Sequence, residues 1–440
     1  MRSQIHKNSQ EITTLVLQNV KIPGGRVADI TVTNGMVSHV GSADSSLPSL
    51  DCSRYTVLPA AIDMHVHMRD WTQEKKETWE TGTKCALAGG VTVVVDQPNT
   101  IPPLATPDTL RDRIRLAKSQ SLCRFGVNGG VTPDADIPGM WRAGALVFGE
   151  TFAGPSSYGD AVTHEVLESA MTQVAGLGGL MTIHAEEVHP GDDATLIAHD
   201  TLRPVSGERD AVQKTIDLNK TGCHLHFCHL SSEQAIHAAA GSGATIEVTP
   251  HHLFLSTDRF DDADPFGKVN PPLRTEEERR KLVSCWSMID IIASDHAPHT
   301  RSDKSEPFRQ APSGIPGLET MIPLLMGWIH EKRIPLTDLI EKTVTKPAQV
   351  LGIRPSGYAP GSRGDFALYP QNLQTIEISQ LHSRAEWSPY DGMKAVFPDI
   401  TVLGGEIVHR SGEFFSRGDT HQAQGEYWIP GRGYTSGEPI

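Results

Sequence analysis

Between Ala60 and Asp70 the chain reads AAIDMHVHMRD. An apolar run ends there on two histidines, His65 and His67. In an extended strand residues i and i+2 share a face, so both imidazoles point the same way. Further short apolar runs follow: VTVVVD from Val91, RFGVN from Arg124, ALVF from Ala145, LMTIH from Leu180, LHFCH from Leu225, ATIEV from Ala244 and MIDIIASD from Met288. Most lead into a segment with helix signals. PDTLRDRIRLAKSQ opens on Pro107-Asp108 and repeats apolar positions at helical spacing. SSEQAIHAAAG sets two serines before an Ala-rich turn and Gly241 after it, and TEEERRKLVSCW offers Thr275 as an N-cap with acids in the first turn. Apolar strands alternating with helices predict an α/β protein whose parallel sheet is covered on both faces. Together with VLPAAID from Val57 the runs make eight units, which predict a TIM-like (β/α)8 barrel over residues 57–350. A doubly wound open sheet is the competing arrangement.

The flanks read differently. ITVTNGMVSHVG, from Ile30, alternates apolar and polar around Asn34-Gly35, a strong hairpin signal. After the helical stretch GLETMIPLLMGWIHEKR, the runs DFALYP and KAVFPDITVLGGEIVHRSGEFF return to strand patterning, punctuated at Gly404-Gly405. Residues 1–56 and 351–440 are therefore expected to build one small β-sandwich module from both chain ends. From Asp419 onward the polar, Gly-rich sequence predicts a surface tail.

Composition narrows the function classes. The chain has 440 residues, 38% hydrophobic and 21% charged, which suits a globular enzyme with a large core. A formal charge of -14 repels polyanions and speaks against a nucleic-acid partner. It also means that any acidic metabolite must be held by local donors. No apolar stretch approaches the ~20 residues that span a bilayer. The N-terminus MRSQIHKNSQEITT lacks an apolar secretion segment, so a cytoplasmic location is expected. The six cysteines form no CxxC pair and read as reduced thiols.

Polar groups cluster at the carboxyl ends of the apolar runs. His65 and His67 close the first, Asn99 follows the second, His184 closes the fifth, His229 follows the sixth and Asp295 closes the eighth. A barrel brings all these ends to one mouth. Four imidazoles and a carboxylate form an N/O set suited to Zn2+. An HxH pair alone is weak in a chain with 20 His; the matching positions carry the inference.

HVHMRD, QPNT, EVTPHHLFL, KVNPPLR, ASDHAPHT and GLETMIPLL, in that order from about Leu58 to Leu351, resemble the amidohydrolase superfamily. More closely, they resemble dihydroorotases of the class related to the animal multifunctional pyrimidine enzyme. The resemblance implies that His65, His67 and Asp295 hold one zinc and His184 and His229 a second. It makes Asp295 both ligand and catalytic proton shuttle. Arg69, Asn99 and His299 would hold a substrate carboxylate, and Asn270 and the Pro312 to Gly317 segment would contact the substrate ring. Glu247 and His251 or His252 would support the ligands or hold an extra metal. The implied reaction is reversible cyclisation of N-carbamoyl-L-aspartate to L-dihydroorotate. The alternatives are another cyclic amidase, such as an allantoinase or hydantoinase, and a non-catalytic scaffold for aspartate carbamoyltransferase. The expected partners are thus a small-molecule substrate and either a second copy of the chain or that transferase.

One departure matters. Many members carry a metal-bridging carbamylated lysine on strand four, whereas no lysine occurs here between Lys118 and Lys214. Aligning on Glu150-Thr151-Phe152 puts Ala145 at that position; aligning on Ala143-Gly144 puts Leu146 there. Three readings follow: Glu150 bridges the metals, the site holds a single zinc, or the site is degraded. Thr151 and Phe152 resemble a loop that closes over substrate, with Gly149 and Gly154 as its pivots. Placing Glu150 in that loop slightly favours a single zinc.

Overall fold

The computed structural model describes residues 13–152, 162–415, 426–429 and 433–435. The chain begins with β1 (Thr14–Lys21), β2 (Val27–Thr33), β3 (Met36–Gly41) and β4 (Ser49–Asp51), ordered β3-β2-β1-β4. Asn34 and Gly35 join β2 to β3 with φ of 49° and 81°, and Thr33 faces Met36 across the turn. Two positive-φ residues match the right-handed twist of the strands, which is why Asn-Gly marks this position.

β5 (Thr56–Pro59) enters another sheet. The parallel strands follow: β6 (Ala61–Val66), β7 (Val91–Asp96), β8 (Arg124–Val127), β9 (Phe148–Phe152), β10 (Leu180–His184), β11 (His224–Phe227), β12 (Thr245–Val248) and β13 (Ile291–Ile292). They form two sets, β6 to β8 and β9 to β13, each hydrogen-bonded in sequence order. Isolated parallel bridges, Gly129 to Phe148 and Val66 to His296, link the sets on both flanks. Every residue of β6 and β7 is buried, as a parallel sheet covered on both faces requires. Ile62, Met64, Val93, Val95, Ile291 and Ala293 pack in one core, while Val66, Val91, Val94 and Phe125 belong to the larger core shared with the helices. The class is α/β. Helices Pro107–Gln120, Glu233–Ala239 and Glu276–Ser284 begin where expected, with the side chains of Thr106, Ser232 and Thr275 accepting from the first turn.

The chain then returns to β5. β14 (Phe366–Tyr369) pairs with it, followed after a small antiparallel pair, β15 (Gln374–Thr375) and β16 (Lys394–Ala395), joined by a long loop, by β17 (Ile400–Leu403), β18 (Glu406–Arg410) and β19 (Glu413–Phe414). The sheet order is β19-β18-β17-β14-β5. Leu17, Ile30 and Val32 from the first sheet share a buried core with Phe366, Leu368 and Val402 from this one, so both chain ends fold against each other.

The C-terminal segment differs from the surface tail read in the sequence. β20 (Tyr427–Ile429) lies parallel to β8, with Tyr427 opposite Phe125, and β21 (Gly433–Thr435) pairs with β20. Tyr427 is fully buried, and its hydroxyl donates to Gly144 O. Three strand residues among glycines are too short to show an alternating pattern, and their partner is remote in sequence. All six cysteines are buried and unpaired, and among the described residues no helix is long and apolar enough to cross a membrane.

Candidate metal and substrate site

The carboxyl ends of the parallel strands open into one cleft. Of the residues singled out in the sequence, His67, Arg69, Asn99, Glu150, Phe152, His184, Asn270 and Asp295 line it. A larger hollow, bounded by Leu180, His224 and Thr245, lies at the amino ends of β10 to β12 and contains none of these groups.

Hydrogen bonds set the orientation of each imidazole. His65 Nδ1 lies 2.9 Å from Glu247 Oε1, and His67 Nδ1 lies 2.9 Å from Asn99 Oδ1. Each acceptor fixes the proton on Nδ1 and leaves Nε2 facing inward as a lone pair. His67 Nε2 is 3.1 Å from Asp295 Oδ1. His65 Nε2 is buried without a hydrogen-bond partner, 3.4 Å from Asp295 Oδ1 and 3.6 Å from Glu150 Oε2. Glu247, on β12, also accepts from His229 N at 3.0 Å and pairs with His226 Nε2 at 3.0 Å, so one carboxylate ties the neighbouring β11 to the more distant β6.

Glu150 stands at the centre. Its Oε1 is 3.0 Å from His184 Nδ1 and 2.7 Å from His229 Nε2, while its Oε2 faces His65 and, at 4.0 Å, His67 Nε2. Burial raises its pKa, but the hydrogen bonds to His184 and His229, with the nearby His65 ring, more than offset this and hold the carboxyl well below the usual range. Its backbone N donates to Gln97 Oε1 at 2.9 Å. Gly149 has φ 117°, and a Cβ there would lie 2.2 Å from Thr182 O, so only glycine lets the chain approach β10 this closely.

The structure thus changes the reading of strand four. Gly144, at φ 109°, ends helix Ile137–Ala143, and Ala145 N still bonds back to Met140 O. Ala145 belongs to that turn, Leu146 N already donates to Val127 O and Val147 O accepts from Gly129 N beside β8, and the strand begins at Phe148. Ala145 and Leu146 pack in apolar cores; Glu150 is the residue that faces the histidines. Thr151 and Phe152 lie in β9 rather than in a loop, with the Phe152 ring 4.8 Å from that of His184. Gly154 lies outside the described residues.

The donor set fits a metal. The ligand atoms of His65, His67 and Asp295 lie within 4.8 Å of one another, as do those of His65, Glu150 and His229. All are buried, and the orphaned Nε2 of His65 marks a missing partner. A third set, His65, Cys228 and Glu247, lies beside them. His252 is tied to Thr249 Oγ1 and Pro271 O, which makes it a brace for the Asn270 segment. His251 is buried with neither ring nitrogen hydrogen-bonded, and burial pushes its pKa down to about 4.

Beside the cluster, Arg69 Nη2 lies 3.3 Å from His299 Nε2. Burial pushes the Arg69 pKa down to about 10, against the pull of Asp295 and Asp96, so it remains a cation at neutral pH. His299 is held well below its usual value by burial and by the charges of Arg69 and Lys76, and so is neutral. Arg69, His229 and Asp295 have φ of 48°, 36° and 44°. Left-handed backbone is uncommon outside glycine and gathers at functional sites. Two supports escaped the sequence reading. Arg113 Nε donates to Asp96 at 2.7 Å and its Nη1 donates to Arg69 O at 2.9 Å, while Gln97 holds Glu150. The signal for Arg113 was its place on the apolar stripe of Leu110, Ile114 and Ala117.

An α/β fold with buried His, Asp and Glu donors at the carboxyl ends of parallel strands defines an enzyme of the amidohydrolase kind. Solved structures agree. L-hydantoinase (dihydropyrimidinase) from Arthrobacter aurescens is 27% identical, with a TM-score of 0.86 over 94% of this chain and 99% of its own. Dihydropyrimidinase from Brevibacillus agri shares the fold at 22% identity, with a TM-score of 0.83 over 94% of this chain and 98% of its own. Residues 55–235 match the family described as Dihydro-orotase-like. The dihydroorotase of Methanosarcina acetivorans is 38% identical over 87% of this chain and 88% of its own length, and that of Halobacterium salinarum is 37% identical over 89% and 96%. The chain belongs to the dihydroorotase family.

Proposed function

We propose that this protein is a zinc-dependent dihydroorotase that interconverts N-carbamoyl-L-aspartate and L-dihydroorotate. In this reading the two strand sets, bridged on both flanks, close as a (β/α)8 barrel over residues 57–350. Residues 1–56 and 351–440 supply the β-sandwich module, with β20 laid against the barrel. The observation that carries the functional reading is the placement of the Arg69 cation and neutral His299 beside the His/Asp/Glu cluster. A cyclic amide bearing a carboxylate needs both an anion clamp and a hydrolytic centre, and an acidic protein needs the clamp to be local.

In the hydrolytic direction Arg69 and His299 hold the ring carboxylate, with Asn270 beside the ring. The amide carbonyl then rests over His65, His67, Glu150 and Asp295. Zinc bound there supplies Lewis acidity that polarises the carbonyl and acidifies the attacking water. Asp295 takes the proton of that water and delivers it to the ring nitrogen as the C–N bond breaks and the C–O bond forms. Ring closure runs the same transfers backward and releases one water. Asn99 contributes by fixing His67. Glu150, with one oxygen toward His184 and His229 and the other toward His65 and His67, would bridge two zincs in place of the lysine.

The similarity to L-hydantoinase favours a second reading, a cyclic amidase acting on rings without the carboxylate. One experiment separates the two: zinc per chain and turnover of dihydroorotate and of hydantoin, on wild type, Glu150→Ala and Arg69→Ala. Dihydroorotate turnover with two zincs, falling to one or none in Glu150→Ala, supports the bridge. One zinc that Glu150→Ala leaves in place rejects it. Hydantoin turnover unaffected by Arg69→Ala supports the second reading, and zinc without turnover returns the chain to the scaffold role.

A further inference from the structure

Lys304 closes the short helix Arg301–Lys304, just beyond His299, and is completely buried. The reaction above does not use it. Its Nζ donates to Lys268 O at 3.0 Å and to Pro312 O at 3.0 Å, and lies 5.5 Å from the centre of the Trp387 ring. Lys268 O also accepts from Gly314 N at 3.0 Å. These carbonyls begin two strips of backbone that line the cleft: Val269 and Asn270 on one, Ser313 and Gly314 on the other. The four lining residues belong to no strand or helix, so regular structure does not fix their spacing. The Ser313 strip also receives His299, whose Nε2 is 3.0 Å from Ser313 O.

We propose that Lys304 is a positioning residue for the reaction, a buried tie that fastens the Asn270 strip to the Ser313 strip and so sets the width of the substrate cleft. It touches neither the metal donors nor the substrate and acts through the backbone it holds. A lysine suits the task because one nitrogen at the end of a long arm can serve two carbonyls. Burial, together with the charge of Lys268, pushes the amine down to about 7. An uncharged amine still offers two N–H groups for the two carbonyls, so the tie survives loss of the charge.

The inference deepens the dihydroorotase reading and rests on it. The test is steady-state hydrolysis of dihydroorotate by the zinc-loaded enzyme, wild type against Lys304→Met, with zinc content measured on both. Met keeps the volume and removes both donors. KM is expected to rise by about tenfold or more while kcat stays within about threefold and zinc is unchanged, because a loosened cleft misplaces the ring without altering the hydrolytic groups. Lys304→Gln, whose amide is one atom too short to reach both carbonyls, is made alongside in case the Met variant does not fold, and a severalfold rise in KM is expected for it. A wild-type KM in whichever variant folds overturns the proposal, as does a loss confined to kcat. A wild-type enzyme that hydrolyses no dihydroorotate overturns the functional reading and this inference with it.

Discussion

At Arg69 a buried cation, a left-handed backbone and a carbonyl held by Arg113 coincide. Lysine there would keep the charge but lose the planar fork that grips a carboxylate with two parallel bonds. Arg69→Lys is therefore expected to lower kcat/KM for dihydroorotate on the order of 10- to 100-fold, chiefly through KM. Steady-state kinetics checks this, and an unchanged KM would remove Arg69 from the clamp. Gly149 is constrained differently, by its 117° φ and its closeness to Thr182 O. Gly149→Ala should displace Glu150, lowering metal content and destabilising the fold by about 2 kcal/mol. Denaturant melts with metal analysis test both effects, and full metal occupancy in a folded Ala variant would show that Glu150 does not depend on this contact. His65, His67, His184, His229 and Asp295 were legible because each ends an apolar run, a position that sequence displays directly. The centrality of Glu150 was not, because it depends on how many residues the turn after Ala143 consumes. Glu247 was legible only as one of several possibilities, since its bonds to His65, His226 and His229 N join residues far apart in the chain.

Elements with local signals behaved as their chemistry dictates. Thr106, Ser232 and Thr275 start helices because a side-chain oxygen meets an otherwise unpaired amide. Asn34-Gly35 turns a hairpin because both residues tolerate positive φ. β13 shows the limit of a pattern: MIDIIASD is apolar over most of its length, yet only Ile291–Ile292 forms strand, since Trp286–Met288 is a 3-10 turn and Asp290 is engaged with Ile246 N. β20 shows the opposite case, a segment without a pattern that nevertheless docks. Its Tyr427 ring lies 5.5 Å from Phe125 and pairs with it toward the amino end of β8, whereas the cleft lies at the carboxyl ends of the strands. Tyr427→Ala should cost about 3 kcal/mol by leaving a cavity beside β8. The thermal midpoint is expected to fall while KM for dihydroorotate is unchanged. An unaltered midpoint would mean that β20 contributes no packing energy.

Over the whole molecule, the nesting of an α/β unit between two β segments could be read from where the patterns change. The pairing could not: β14 lies between β5 and β17, a choice set by which apolar faces meet in the core of Leu17, Val32, Phe366 and Val402. The same burial makes stability depend on pH. His251 and His409 are both pushed down to about 4, mainly by burial, and His252 and His299 are held well below the usual value. A histidine with a depressed folded pKa binds its proton more readily in the unfolded chain. Its contribution is present above the unfolded value near 6.5 and is lost as pH falls toward about 4. His382, raised by its hydrogen bond to Glu319, runs the other way and gives up stability as pH rises. His409 is the cleanest probe because it sits in β18, away from the metal donors, where its Nε2 accepts from Gly412 N at 3.2 Å. Protonation would abolish that acceptor. Each such group should add a slope of up to about 1.4 kcal/mol per pH unit across the window. Urea melts of the metal-loaded protein between pH 7 and pH 4 should therefore show stability falling with acid, and His409→Leu should flatten that limb by about one proton's worth. A variant as steep as the wild type would mean that His409 takes up its proton in the folded protein as easily as in the unfolded chain, and that acid acts through the histidines around the cleft instead.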